Sequence, residues 1–205
     1  MTQNPFLTEP VRATRNERPE PDPVFDDRVE LTGPATPELA PPVDTTGLRD
    51  WPVQPVLPGT GLFVVGLHGG AGISTVVELL GSPAIDAGQA VPDPAGSGVV
   101  NMVAVTRTHH HGLEQAHRFA RLWADGRLGR VRLLGLLLVD DGPNLTRAQR
   151  LQVRRVSRMS PHGWHLGWQE PWRLQAPDRD RLPMRVRWTL HRIHTFHNLT
   201  KEGKQ

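Results

Sequence analysis

Residues 61–75 read GLFVVGLHGGAGIST, an apolar run that meets a glycine-rich turn, two hydroxyls and a second apolar stretch. Those residue types in that order suit the binding of phosphate. Glycines at 69, 70 and 72 let backbone N–H groups converge on anionic oxygens, and a helix opening behind them adds the positive end of its dipole. Ser74 and Thr75 could hold a magnesium ion. The cation that normally completes such a loop is missing, because its position holds Ile73. Of 24 basic residues 22 are arginine, and the two lysines, Lys201 and Lys204, lie in the last five residues. No lysine upstream of residue 201 can restore the charge.

The stretch LHGGAGIST resembles the deviant Walker A loop of the MinD/ParA family, whose pattern is K-G-G-x-G-K-[ST]-T. Gly69, Gly70, Gly72, Ser74 and Thr75 match it. His68 stands where that family has its signature lysine, and Ile73 where it has the general one. Further along, VVNMVAVTRTHHHGLEQAHRFARLW is similar to a later strand and helix of the family. LLGLLLVDD is similar to its next strand, which places Asp140 or Asp141 near where the family has an asparagine beside the adenine. The resemblance spans about residues 61–170 and implies an abridged P-loop fold. The family's extra strands, with their switch and Walker B carboxylates, are replaced by residues 81–98, where no apolar strand is expected to present Asp86 or Asp93. The chain also resembles a group of Arg-rich proteins of high-GC bacteria with a proline-rich arm and an HGGAG loop, whose activity is not established.

The resemblance implies a candidate phosphate site of His68, Gly69, Gly70, Ala71, Gly72, Ile73, Ser74 and Thr75, with Asp140 and Asp141 beside it. The cofactor is left open: ATP with magnesium is the ligand the resemblance brings into view, and hydrolysis is not expected. Phosphoryl transfer rests on positioned positive charge, and each stabiliser removed costs on the order of 100- to 1,000-fold in rate. Both lysines and the Walker B acid are missing together. Arg107, at a strand end, is the nearest substitute. No catalytic residue is assigned. The same glycines also serve a tight strand-to-helix turn with no ligand at all.

Two other constellations invite chemistry. His109, His110 and His111 follow a strand and fall on the edge that carries His68, Asp140 and Asp141. Such a gathering suits a divalent metal, yet three consecutive side chains cannot all point one way, and no metal site is assigned. A neutral-to-charged switch of His68 near pH 6.5 is a further option. Arg147, Arg150, Arg154, Arg155 and Arg158 fall in one expected helix, four of them on a single face. With Arg185, Arg187 and Arg192 they suit nucleic-acid phosphates or simply a solvated face.

The elements that must position these residues alternate. Strands are expected at Leu62–Leu67, Val99–Val105, Val131–Val139 and within 163–172. Helices are expected at Ser74–Leu80, Gly112–Ala124, from an Asn144 or Thr146 cap to Met159, and from Pro183 to Leu199, with 185–190 also alternating as a strand would. Residues 81–98 read as a loop. The four late tryptophans, Trp164, Trp168, Trp172 and Trp188, are expected to pack the far side. This alternation predicts an α/β domain with a mostly parallel sheet, whose ligands bind at the carboxyl edge.

Composition splits the chain. Residues 1–60 hold 12 of the 20 prolines and ten acids against five arginines, net −5. The whole is +3, so the remainder is +8. The expected organisation is a disordered acidic arm (1–58), one domain (59–200) and a tail (201–205). Disorder is expected because such an arm buries too little apolar surface. Trp51 is expected to pack on the domain edge within an extended lead-in. NPFLTEP and VELTGPATP share an LT-x-P core that suits docking to a partner protein. There is no cysteine, no run of roughly 20 apolar residues and no secretory h-region, so a cytoplasmic protein is expected. The functions in view are a non-catalytic adaptor or scaffold for a plasmid partition or conjugal transfer machine, a nucleotide-binding ATPase with unorthodox residues, and a non-specific nucleic-acid binder.

Overall fold

The structure is a computed structural model that describes residues 31–57, 59 and 61–202. Residues 1–30, with the first LT-x-P copy, and residues 203–205 lie outside it. A six-stranded sheet in the order β1-β8-β7-β6-β3-β4 forms the centre. It comprises β1 (Leu31–Thr32), β3 (Leu62–Gly66), β4 (Ala84–Asp86), β6 (Val100–Arg107), β7 (Val131–Val139) and β8 (His162–Leu166). All neighbours are parallel except β1, which runs antiparallel to β8. Strands β2 (Val53–Val56) and β5 (Val91–Pro94) form a separate parallel pair. The expected α/β class with a mostly parallel sheet is what the chain adopts.

Burial on both faces explains the unbroken apolar strands. Every residue of β3 is buried, as are the last seven of β7. Helices α2 (His110–Ala124) and α3 (Arg147–Ser157) cover one face, where Phe119, Leu122, Val153 and Val156 meet Phe63, Met102 and Leu136. Helices α1 (Ile73–Leu80) and α4 (Met184–Glu202) cover the other, where Leu79, Val186 and Ile193 meet Val64, Val105 and Leu137. Capping fixes the helix starts. Thr146 and Gln149 close a reciprocal capping box on α3, and His109 Nδ1 accepts the Gly112 N–H at 2.9 Å on α2.

Two expectations need correction, and the expected last helix is present. Residues 31–57 are not a free arm. Leu31 and Thr32 add to the sheet beside Gly163 and His162. Trp51 is 7% exposed, edge-on to Phe119 at 5.0 Å, and its indole N–H donates to Gln89 O at 2.9 Å. The prolines that signal disorder here suit an edge strap, where missing N–H donors cost little. Residues 81–98 are not simply a loop, since they hold β4 and β5. β4 lies parallel to β3 and places Asp86 at its end, opposite Val64, so a strand does present this acid. Three apolar-to-acidic residues paired on one edge are too short to leave a periodic signal. The last segment is a helix throughout, and the strand alternative for 185–190 does not apply.

Candidate functional site

The carboxyl ends of β3, β6, β7 and β8 share one edge, and every expected site residue lies there. β4 lies on one side of β3 and β6 on the other, while α1 and α2 leave their strands toward opposite faces. The switch point of the sheet therefore falls between the ends of β3 and β6, the place where such sheets bind ligands. The ladder continues beyond the strands, with Leu67 N–H to Val105 O at 2.9 Å, Thr108 N–H to Val139 O at 3.0 Å and Asp140 N–H to Leu166 O at 3.0 Å. The loops are thus braced where they meet.

The glycine turn is open on the outside and filled from within. Gly70 and Gly72 have φ of +79° and +94°, in the region that excludes most side chains. Around Gly69 and Gly70 a Cβ would meet nothing within 4 Å. Ala71 is buried and Gly72 caps α1 without a side chain, leaving the first-turn amides of Ile73, Ser74 and Thr75 without intrahelical acceptors. Ile73 does not reach over the turn as a lysine would. Its Cδ1 lies 2.4 Å from where a Cβ on Gly66 would stand, so it fills the space that glycine leaves. Ser74 is exposed and Thr75 half-buried.

Arg107 brings a guanidinium to the turn. It ends β6, and its guanidinium lies against Gly72, where a Cβ would be 3.3 Å from Nη2 and 3.8 Å from Nε. Nη1 donates to Asp140 O at 2.8 Å, which fixes the fork beside the start of α1. Its backbone N–H donates to His68 Nε2 at 3.1 Å, so His68 carries its proton on Nδ1 and donates it to Gly69 O at 2.8 Å. Buried at 6% exposure, His68 is held neutral. Burial pushes its pKa below the ordinary imidazole value, and His109, His111 and Arg107 add to the effect against the Gly69 hydrogen bond.

The acids and histidines gather as expected but not as metal ligands. Rings of His68 and His109 lie 4.8 Å apart, and those of His68 and His111 lie 5.9 Å apart. Both His68 nitrogens are engaged and His109 Nδ1 caps α2, while His110 pairs with Glu114 at 3.2 Å on the surface. Asp140 is buried and bonded to His165 Nε2 at 2.8 Å, and the Thr108 hydroxyl lies between Asp140 (3.3 Å) and Asp141 (3.0 Å). Asp86 accepts the Gly88 N–H. Among the described residues no group of three or more such side chains is arranged to hold a metal.

A cavity of about 560 Å³ adjoins the turn, lined by Gly72, Thr75 and Arg107 on one side and by Trp168, Trp172 and Arg173 on the other. The far-side packing expected of the late tryptophans holds for Trp164, which is in the core. Trp168 and Trp172 instead wall this cavity, and Trp188 is exposed. His165 and this wall were not legible in the sequence. Their only signal is the WQEPW spacing, where proline starts a 3-10 turn (Glu170–Arg173) that brings both rings to one edge.

The model of a family of unknown function, DUF6668, matches residues 60–190. No curated protein and no solved structure matches the chain.

Proposed function

We propose, for a chain that belongs to the DUF6668 family, that the glycine turn with Arg107 is a phosphate-binding site of P-loop type in a non-catalytic adaptor. It holds a nucleotide or another phosphate-bearing ligand without hydrolysing it. One observation carries this reading: the Arg107 guanidinium lies against Gly72 at the open start of α1. The chain lacks both lysines of the loop it resembles and brings an arginine from the neighbouring strand to the start of α1. An arginine fork is well shaped for phosphate oxygens. The bare turn at Gly69 and Gly70 leaves room for those oxygens. The adjoining cavity, with two tryptophans, has the size and mixed lining of a small-molecule site.

Binding without turnover follows from what surrounds the turn. Magnesium would find the hydroxyls of Ser74 and Thr75, but Asp140 and Asp141 are engaged with His165 and Thr108. His68 cannot take a proton from water while its Nε2 accepts the Arg107 N–H. By analogy of fold, such an adaptor would act in the cytoplasm within a partition or transfer machine, where ligand occupancy would set its engagement of a protein partner. No helix among the described residues is long and apolar enough to cross a membrane.

The test is a titration of the full chain with pyrophosphate, ADP and ATP, with and without magnesium, followed by thermal melting and phosphate release. A rise in Tm without phosphate release is expected. A melting temperature unmoved by all three at millimolar concentration would end the proposal, and steady phosphate release would make the protein an enzyme.

A further inference from the structure

Helix α3 carries Arg147, Arg150, Arg154 and Arg155, is followed by Arg158, and contains no acid. Among the described residues Arg154, Arg155 and Arg158 form no ion pair, and with exposed Leu151 and half-buried Met159 they line a groove of about 510 Å³. The groove is basic with an apolar floor.

The described residues begin at Leu31, beside the C-terminal end of α3. Gly33 sits so close to α3 that a Cβ on it would come 2.1 Å from Arg158 O, and its N–H donates to Ser160 O at 3.0 Å. β1 touches α3. Register fixes the direction. Thr32 faces His162 and Leu31 faces Gly163, so going back along the chain moves toward the carboxyl edge. α3 runs from that edge toward Arg158, so β1, traced back from Thr32 to Leu31, points along α3 from its arginine-rich end. An 11-residue helix is about 16 Å long, and five extended residues cover about the same distance.

Residues 20–30 read EPDPVFDDRVE, five acids against one arginine, with Val24 and Phe25 beside Asp26 and Asp27. We propose that this segment docks along α3, its carboxylates on Arg154, Arg155 and Arg158 and Phe25 over Leu151 and Met159. The chain thereby covers its own most basic helical face. The interaction is electrostatic and short of reach, so salt releases it; the Debye length falls from about 10 Å at 0.1 M to about 3 Å at 1 M.

The absence of cysteine allows a single nitroxide label on Val24→Cys in the full chain. At low salt, amide signals of 151–158 should be lost by paramagnetic broadening and return at 1 M salt. Arg154→Glu with Arg158→Glu should restore them at low salt, and adding Asp26→Arg with Asp27→Arg should abolish them again. Circular dichroism and melting would show that the charge variants remain folded. The proposal is overturned by broadening that ignores the charge reversals, that maps to Arg185–Arg192 of α4, or that scales with protein concentration as docking between two copies would.

Discussion

Replacing Arg107 by alanine separates the phosphate-binding role from the structural one. Two losses are expected. The first is the hydrogen bond from Nη1 to Asp140 O at 2.8 Å. A partly buried bond of this kind contributes about 1 kcal/mol net, so the unliganded protein should melt about 2–4 °C lower. The second is the guanidinium beside Gly72. A charge-assisted bond to a phosphate is worth about 1.5–3 kcal/mol, which corresponds to roughly 10- to 150-fold in Kd. If 1 mM pyrophosphate stands at about 100 times Kd, it stabilises the native protein by about 2.7 kcal/mol, or roughly 5–10 °C in Tm. A 100-fold weaker variant would retain about 0.4 kcal/mol, a shift of about 1 °C. Calorimetric titration would measure the Kd directly, and the unliganded Tm reports the structural cost alone. Arg107→Lys should recover part of the affinity, because it keeps the charge and loses the fork. Arg154→Glu with Arg158→Glu should leave the shift intact, because those residues lie along α3 and not at the turn. Full ligand stabilisation in Arg107→Ala would refute the assignment of the cation and leave the turn without one.

Stability should fall as pH drops through the histidine range. His68 is neutral when folded and its pKa is depressed chiefly by burial. Its contribution is complete above the unfolded value near 6.5 and is lost as pH falls from there toward the lower folded pKa. His117 shifts the same way through burial and the nearby Arg155 and Arg121. Melting curves between pH 7.5 and about pH 5 should show the decline, shallower in His68→Gln; an unchanged slope would mean that His68 is not the buried neutral group. Trp51→Ala should cost about 3–5 kcal/mol by chemical denaturation, since the ring is packed on Phe119 and bonded to Gln89; a cost near zero would return residues 31–57 to the status of a free arm. Gly72→Ala places a side chain at φ +94° facing Arg107, and about 1–2 kcal/mol of strain is expected together with loss of the ligand shift. Gly33→Ala should free β1, seen as faster amide exchange at Gly163 and His162, because its Cβ would collide with the Arg158 carbonyl.

The sheet was readable because its strands are buried on both faces. Val131–Val139 has the same bounds in sequence and structure, since a nine-residue run that is apolar but for Arg132, closed by Asp140, Asp141 and Gly142, leaves no other reading. α2 and α3 were nearly as plain, through their apolar spacing and caps. The strap and β4 were not, because an edge element buries one side at most. Its prolines and acids then look the same as those of a disordered arm. Trp51 alone hinted at the docked state.

The turn divides in the same way. Its glycines, its hydroxyls and its lack of lysine are facts of sequence, since each depends on residue type at a fixed local spacing. That Ile73 turns inward to fill the space left by Gly66, that His68 accepts from Arg107, and that Asp140 belongs to His165 are facts of packing, which residue type and spacing do not show. So is the place of Arg107. The sequence could name it only as the nearest strand-end arginine, because its distance from Gly72 depends on β6 lying beside β3. Residue type and local spacing determined that the turn carries no lysine. Only the order of strands, which no local pattern encodes, decided which guanidinium lies beside it.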